Sequence, residues 1–392
     1  MENELKHSPL VAQLLGSKLL STHLLRSLFF VIGLSLGVTI SVYYKSFSFN
    51  YLQVILPPSP PMPPPPRPWI QPSLSGSASS YTQQPLMHNM NDEELFLRAS
   101  MVPKRKKFDG EHVPKVAFMF LTKGPLHLSL MWEMFFKGHQ GLYTIYVHTH
   151  PLFNWTVPVN SVFYRTRIPS KTVTWGRASM LDAERRLLAN ALLDFYNERF
   201  VLLSETCIPL FNFTTIYNFL MKSKQGFVGS FDDPRKVGRG RYNPKMAPTV
   251  TLSDWRKGSQ WFEMNRKMAI EVVSDTKYYP IFSELCRPPC YNDEHYIPTL
   301  IHKCCSVENS NRSLTWVDWS KSGPHPERFG RAGVSLELLN KIRFNCSASD
   351  RLSSYNASSS MCFLFGRKFM SDALRPLLQI APMLLGLNSS QF

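Results

Sequence analysis

Between Lys115 and Phe231 the chain alternates short, almost wholly apolar runs with stretches whose apolar residues recur at helical spacing, and few architectures accept that order. The runs "KVAFMFLT", "LYTIYVHT" and "RFVLLSE" predict buried strands, and "GFVGSF" a further one. The segments "LHLSLMWEMFFKGH", "SMLDAERRLLANALLDFY" and "TTIYNFLMKSK" predict the helices between them. Helical crossovers of this kind join parallel strands, so the succession predicts an α/β domain with a mostly parallel sheet covered on both faces. Ligands of such sheets bind beyond the carboxyl ends of the strands, which nominates "HTHP", "SETC" and "FDDPRK" as rim segments. One helix precedes the alternation: "NDEELFLRAS" offers Asn91 or Asp92 as its cap, so order is expected from about Asp92 onward.

Ahead of that domain, residues 27–44 ("SLFFVIGLSLGVTISVYY") carry no charge and would span roughly 27 Å as a helix, enough for a thin bilayer. The segment starts far from Met1, exceeds the apolar core of a signal peptide and lacks a small-x-small cleavage site nearby, so it predicts a retained signal-anchor. Lys6, Lys18 and Arg26 precede it while only Lys45 follows closely. The positive-inside bias then makes residues 1–26 a cytosolic tail and places the rest in the lumen, a single-pass type II arrangement. So short a span suits the Golgi or the endoplasmic reticulum. Residues 45–91 contain "PPSPPMPPPPRPW" and a Ser/Gln/Asn-rich continuation that cannot bury a core, and they predict an extended stem. Residues 92–392 form the lumenal domain, and a hydrophobic content of 44% supports a sizeable core. The formal charge of +16 suits anionic partners, but the cations are dispersed and the chain faces the lumen, which argues against nucleic acid.

Six acceptor sequons follow the anchor, at Asn154, Asn212, Asn311, Asn345, Asn356 and Asn388, in keeping with a lumenal glycoprotein. In an oxidising lumen the seven cysteines predict two or three disulfides in the C-terminal half, with one cysteine unpaired. The densest cluster is "CYNDEHYIPTLIHKCC", Cys290 to Cys305. Its Cys/His spacing fits no standard zinc pattern, and His295 and His302 lie two helical turns apart, too far to share an ion. Its adjacent Asp293 and Glu294 fit either acid/base chemistry or a helix entrance, where Asp293 caps and Glu294 meets the helix dipole.

The segments "DEELFLRAS", "KVAFMFLTKGPL", "LYTIYVHTHP", "VTWGRASML", "FVLLSETCIPLF", "FDDPRKVGRGRYNPKM", "WRKGSQWFEMNR", "CYNDEHYIPTLI", "SGPHPERF" and "CFLFGRKF" resemble, in that order, the plant branch of the core-2/I-branching β-1,6-N-acetylglucosaminyltransferase family, glycosyltransferase family 14. Within that branch the chain is similar to the brittle-culm type of plant wall-associated glycosyltransferase. The likeness runs from Asp92 to about Leu378. It implies a GT-A-like, Rossmann-like fold and an inverting transfer from a UDP-sugar donor to a glycan or glycoprotein acceptor on the Golgi membrane. No metal cofactor is expected. N-acetylglucosamine is the expected sugar, with glucuronic acid or xylose as alternatives.

Carried onto this chain, the family's catalytic base is the second acid of "DE", Glu294, with Asp293 orienting it or capping the helix. The chemistry requires such a group, because a sugar hydroxyl attacks well only as its proton is removed. The family's "F-x-x-K-F" lysine maps onto Lys368, with Arg367 adjacent, to neutralise the leaving diphosphate; Arg343 is a guess for the second cation. Trp175 of "VTWG" is expected beside the nucleotide, and Gln260 and Trp261 of "GSQWF" beside the acceptor sugar. His148 stands near the place where animal members carry a nucleotide-reading aspartate. Asp232 and Asp233 mimic the manganese-binding DxD pair of other GT-A enzymes, but in the wrong position for this family's donor. A catalytically inactive lumenal scaffold or glycan-binding protein, partnering active transferases, would keep the same fold.

Overall fold

The computed structural model describes residues 29–31, 35, 86–102, 113–154, 156–321, 323, 325–346 and 361–387. The expected anchor and stem therefore lie almost wholly outside the described residues, as do Asn356 and Asn388. No helix among the described residues is long and apolar enough to cross a membrane. The chain divides into two units, Met1–Ser80 and Tyr81–Phe392, and all the elements named below belong to the second.

Asn91 caps α1 (Asp92–Ser100), its side chain accepting from the Glu94 amide. Order reaches back ahead of this helix: Leu86 and Met90 pack on the core, and His88 Nε2 lies 2.9 Å from Asn190 Oδ1. The alternation then appears as β1 (Lys115–Leu121), α2 (Ser129–Phe136), β2 (Tyr143–His148), α3 (Ala178–Leu192), β3 (Asn197–Ser204), β4 (Ile208–Pro209) and α4 (Phe213–Lys222). It is followed by β5 (Glu263–Asn265), α5 (Arg266–Ser274), α6 (Tyr279–Leu285), α7 (Asn292–Cys304), β6 (Thr315–Val317), α8 (Leu336–Phe344), β7 (Phe365–Arg367) and α9 (Leu374–Leu385).

β1 pairs in parallel with β2 and β3, setting Phe118 opposite Ile145 and Val201. The expected parallel sheet thus forms, in the order β2-β1-β3-β5, but it ends on an antiparallel strand, β5. A second sheet, β4-β7-β6, joins segments far apart in sequence. Successive strand residues face opposite ways, so β1 feeds two cores. Ala117 and Met119 share one with Leu187 of α3 and Met268 of α5. Phe118 and Phe120 share the other with Trp132 of α2 and Leu377 of α9.

"GFVGSF" does not become a strand. Phe227 and Phe231 each make one isolated bridge, to Glu263 and Lys257. Between them the backbone is taken up by side chains: Asn309 accepts from Val228 N and donates to Val228 O, and Asn311 accepts from Ser230 N. These bonds satisfy the groups a ladder would have used. β5 is held to β3 by a two-pronged pair between buried Arg199 and Glu263, at 2.7 and 2.6 Å. Removing one partner of such a pair costs about 3–5 kcal/mol.

The cysteines pair as Cys286–Cys290, Cys304–Cys305 and Cys346–Cys362, leaving Cys207 free and buried. The first two bridges stand at either end of α7. Of the sequon asparagines, Asn154, Asn311 and Asn345 are exposed, whereas Asn212 is half-buried and caps α4.

Candidate active site

A cleft of about 1420 Å³ opens at the carboxyl ends of the parallel strands, where Leu121, His148 and Ser204 line it. All three rim segments nominated from the sequence reach it, through His148–His150, Ser204–Glu205 and Phe231–Arg235.

Asp293 and Glu294 enter the cleft from the first turn of α7. The Glu294 carboxylate meets Arg241 at 2.5 Å and Lys257 at 3.1 Å. Burial pushes its pKa up, but Lys257 and Arg241 outweigh burial and leave it below the ordinary glutamate value. Glu294 is therefore held ionised. Asp293 differs: burial, then the charge of Glu294, raises it to about 6, and its Oδ1 is buried without a hydrogen-bond partner among the described residues. The expected plain cap is not what Asp293 supplies, because α7 carries no side-chain cap bond.

The segment that carries Lys257 is locked to the same helix turn. Gly258 N donates to Glu294 O at 2.8 Å, and a Cβ on Gly258 would fall 1.9 Å from Gly229 O and 2.8 Å from Pro298 Cγ. Only glycine fits there. Two residues on, Gln260 lines the cleft and donates from Nε2 to Glu184 Oε1 at 2.8 Å. Trp261, mostly buried, presents its ring to the Arg367 guanidinium at 4.0 Å.

Arg328, Arg367 and Lys368 line the cleft together. Burial lowers the Lys368 pKa first, and Arg367 and Arg328 add to this, so the cations crowd one another. None of the three has a carboxylate salt-bridge partner among the described residues. Such a patch is built to receive an anion. Arg343, the sequence-based guess, is not part of it. Its guanidinium lies over the rings of Phe211 and Phe344 and donates to Asn340. Arg328 stands in the cleft instead, brought beside Lys368 because Phe329 N donates to Lys368 O at 2.9 Å. Sequence reasoning also missed Arg241, Lys257 and Glu184, whose partners lie between 37 and 76 residues away.

Trp175 lines the cleft and is 56% exposed, so it is not a core tryptophan. Its ring packs 4.9 Å from that of Tyr291, and the Arg241 guanidinium lies 4.7 Å from the same Tyr291 ring. The next residue, Gly176, has φ of +72°, and a Cβ there would meet Tyr291 Cδ1 at 2.9 Å, so this turn needs glycine. His148 is buried and neutral: burial, then Arg186 and Arg167, lower its pKa to about 3, and its Nε2 accepts from Lys171 N. Asp232 and Asp233 are each taken up by a two-pronged arginine pair, with Arg239 and Arg235 respectively.

A carboxylate kept ionised at the end of a parallel sheet, facing a cavity that also holds unpaired cations and exposed aromatic rings, suits transfer of a sugar away from an anionic leaving group. The Core-2/I-Branching enzyme model matches residues 116–343, and the chain belongs to that family; it is a glycosyltransferase. Lys368 and β7 lie beyond the matched stretch. The chain is also 34% identical over 308 residues to Glycosyltransferase BC10 of Oryza sativa subsp. japonica, covering 68% of this chain and 76% of that protein.

Proposed function

We propose that the chain transfers a sugar, N-acetylglucosamine, from a UDP-sugar donor to a hydroxyl of a glycoprotein or cell-wall glycan, with inversion at the anomeric carbon. One observation carries the reading: ionised Glu294 shares a cleft with three cations that lack carboxylate partners among the described residues. In the reaction the acceptor oxygen attacks C1 as its proton passes to Glu294, and the C1–O bond to the diphosphate breaks on the opposite face. Lys368, Arg328 and Arg367 receive the charge that develops on the departing UDP. Trp175 and the neutral ring of His148 contact the nucleotide, and Gln260 and Trp261 the acceptor sugar. The reaction is proposed to run without a divalent ion, the fixed cations serving in its place. The uncharged segment at 27–44, the sequons and the disulfides support a type II Golgi membrane protein with this domain in the lumen.

The test is transfer by the full-length chain with a panel of UDP-sugars, assayed with manganese and with chelator. Turnover with UDP-N-acetylglucosamine that survives chelation is expected. Turnover only with another donor would replace the sugar, dependence on manganese would replace the charge chemistry, and turnover with none would leave a glycan-binding protein.

A further inference from the structure

Helices α3 and α7 pack against each other, and each carries a buried carboxyl group that the transfer reaction does not use. Glu184 is 0% exposed on α3, and Asp293 is 7% exposed on α7. Each has one oxygen that is buried without a hydrogen-bond partner among the described residues, Oε2 of Glu184 and Oδ1 of Asp293. The other Glu184 oxygen accepts from Gln260, a residue of the cleft lining. Two acceptor-only oxygens cannot satisfy each other, but one added proton makes one of them a donor, and a water between them would then remove both deficits.

We propose that Glu184 is a positioning residue that works as a neutral acid, sharing its proton with Asp293 and fixing the Gln260 amide so that the carbonyl of Gln260 is left to face the sugar. Such an amide accepts a hydrogen bond from a sugar hydroxyl or from the N–H of an N-acetyl group. Asp293 then carries the single negative charge of the pair. With Glu294 beside it and Arg241 and Lys257 opposite, the formal charges around the base cancel.

The electrostatics agree. Burial, then Asp293, then Asp182 raise the Glu184 pKa well above the ordinary value, against the bond from Gln260. Of the other charged groups nearby, Asp182 accepts from the Tyr279 hydroxyl, Arg185 donates to the carbonyls of Val272 and Val273, and Arg186 pairs with Asp92 through Nε and Nη2 while its Nη1 is buried without a partner among the described residues. On the Asp293 side, His295 has its Nδ1 at the Arg256 carbonyl and is held neutral by burial, its pKa lowered to about 4.

The inference rests on the reading of this cleft as the transfer site, yet its central test does not need turnover. The full-length chain is compared with Glu184→Gln and Glu184→Ala. Glutamine reproduces a protonated glutamate, accepting from Gln260 and donating to Asp293. In the native chain Glu184 keeps a proton that the unfolded chain releases above the ordinary value of 4.5. Rising pH above that point therefore removes stability from the wild type and not from Glu184→Gln. The Tm difference between them should shift in favour of Glu184→Gln as pH rises from about 4.5 to 8, and the infrared band of a protonated carboxyl should vanish in the variant. Parallel Tm curves with no lost band would overturn the shared proton.

In the transfer assay Glu184→Ala should lower kcat/KM roughly tenfold, chiefly through KM, as expected for one misplaced hydrogen bond. Glu184→Gln should recover most of that loss. If glutamine is as damaging as alanine, the neutral-acid role fails. Should the alanine variant not fold, Gln260→Ala supplies the same KM comparison. No turnover in any protein would count against the proposed transfer alone, because the stability and infrared readouts would still decide the proton.

Discussion

As the proposed base, Glu294 is weakened by the company it keeps. Arg241 and Lys257 hold its carboxylate ionised, so it can take a proton across most of the acid range, although each cation also reduces its basicity. Glu294→Gln keeps the shape and removes the proton acceptor, and kcat should fall about 10²–10⁴-fold with little change in donor KM. The pH dependence separates the two neighbours. If Glu294 takes the proton, kcat/KM of the wild type falls on the acid side with an apparent pKa below the ordinary 4.5. An acid limb near 6, the Asp293 value, would move the role of base to Asp293. Glu294 and Lys368 were nominated through short motifs of the family resemblance, and both line the cleft. Arg328, Arg241, Lys257 and Glu184 were not nominated, since an isolated Arg, Lys or Glu in sequence is indistinguishable from a solvated surface charge. Their roles arise only when a distant partner folds against them.

At the scale of elements, the cleft depends on the contact between the 257–261 segment and the first turn of α7. The Gly258 backbone lies so close to Gly229 that a methyl group has nowhere to go without parting the two. Gly258→Ala should therefore cost about 3 kcal/mol, or roughly 5–10 °C in Tm. It should also lower activity in the molecules that remain folded, because Lys257 and Gln260 shift with the segment. A Tm within a degree or so of the wild type would show that the contact is slack. Elements of this kind separate what sequence reveals from what it hides. β1, β2 and β3 are long apolar runs buried on both faces, and α3 has a strong apolar stripe, so periodicity finds them. β5, β6 and β7 are three residues each and exist only because a neighbour pairs with them. "GFVGSF" has the composition of a strand, yet Asn309 and Asn311 occupy its backbone from more than 80 residues away.

For the whole molecule, the α/β class and the position of the rim followed from the order of runs, whereas the second sheet did not, because it joins residues 208–209, 315–317 and 365–367 across gaps that no local pattern signals. Net charge is likewise a property of the whole chain, and at +16 it favours the approach of anions in general. Exposed parts of that field are screened over about 10 Å at 0.1 M salt. The proposed UDP-sugar donor would carry its charge into the patch formed by Lys368, Arg328 and Arg367, so donor KM should rise as sodium chloride is raised from low to physiological concentration. The acceptor side differs in character. Gln260 and Trp261, the proposed acceptor contacts, line the cleft and carry no charge, and hydrogen bonding and stacking of a neutral sugar there are insensitive to salt. Acceptor KM should then stay nearly constant over the same range. A rise in acceptor KM parallel to that of the donor would show instead that the acceptor is itself acidic, and that the basic balance of the chain serves to hold a polysaccharide as well as a nucleotide.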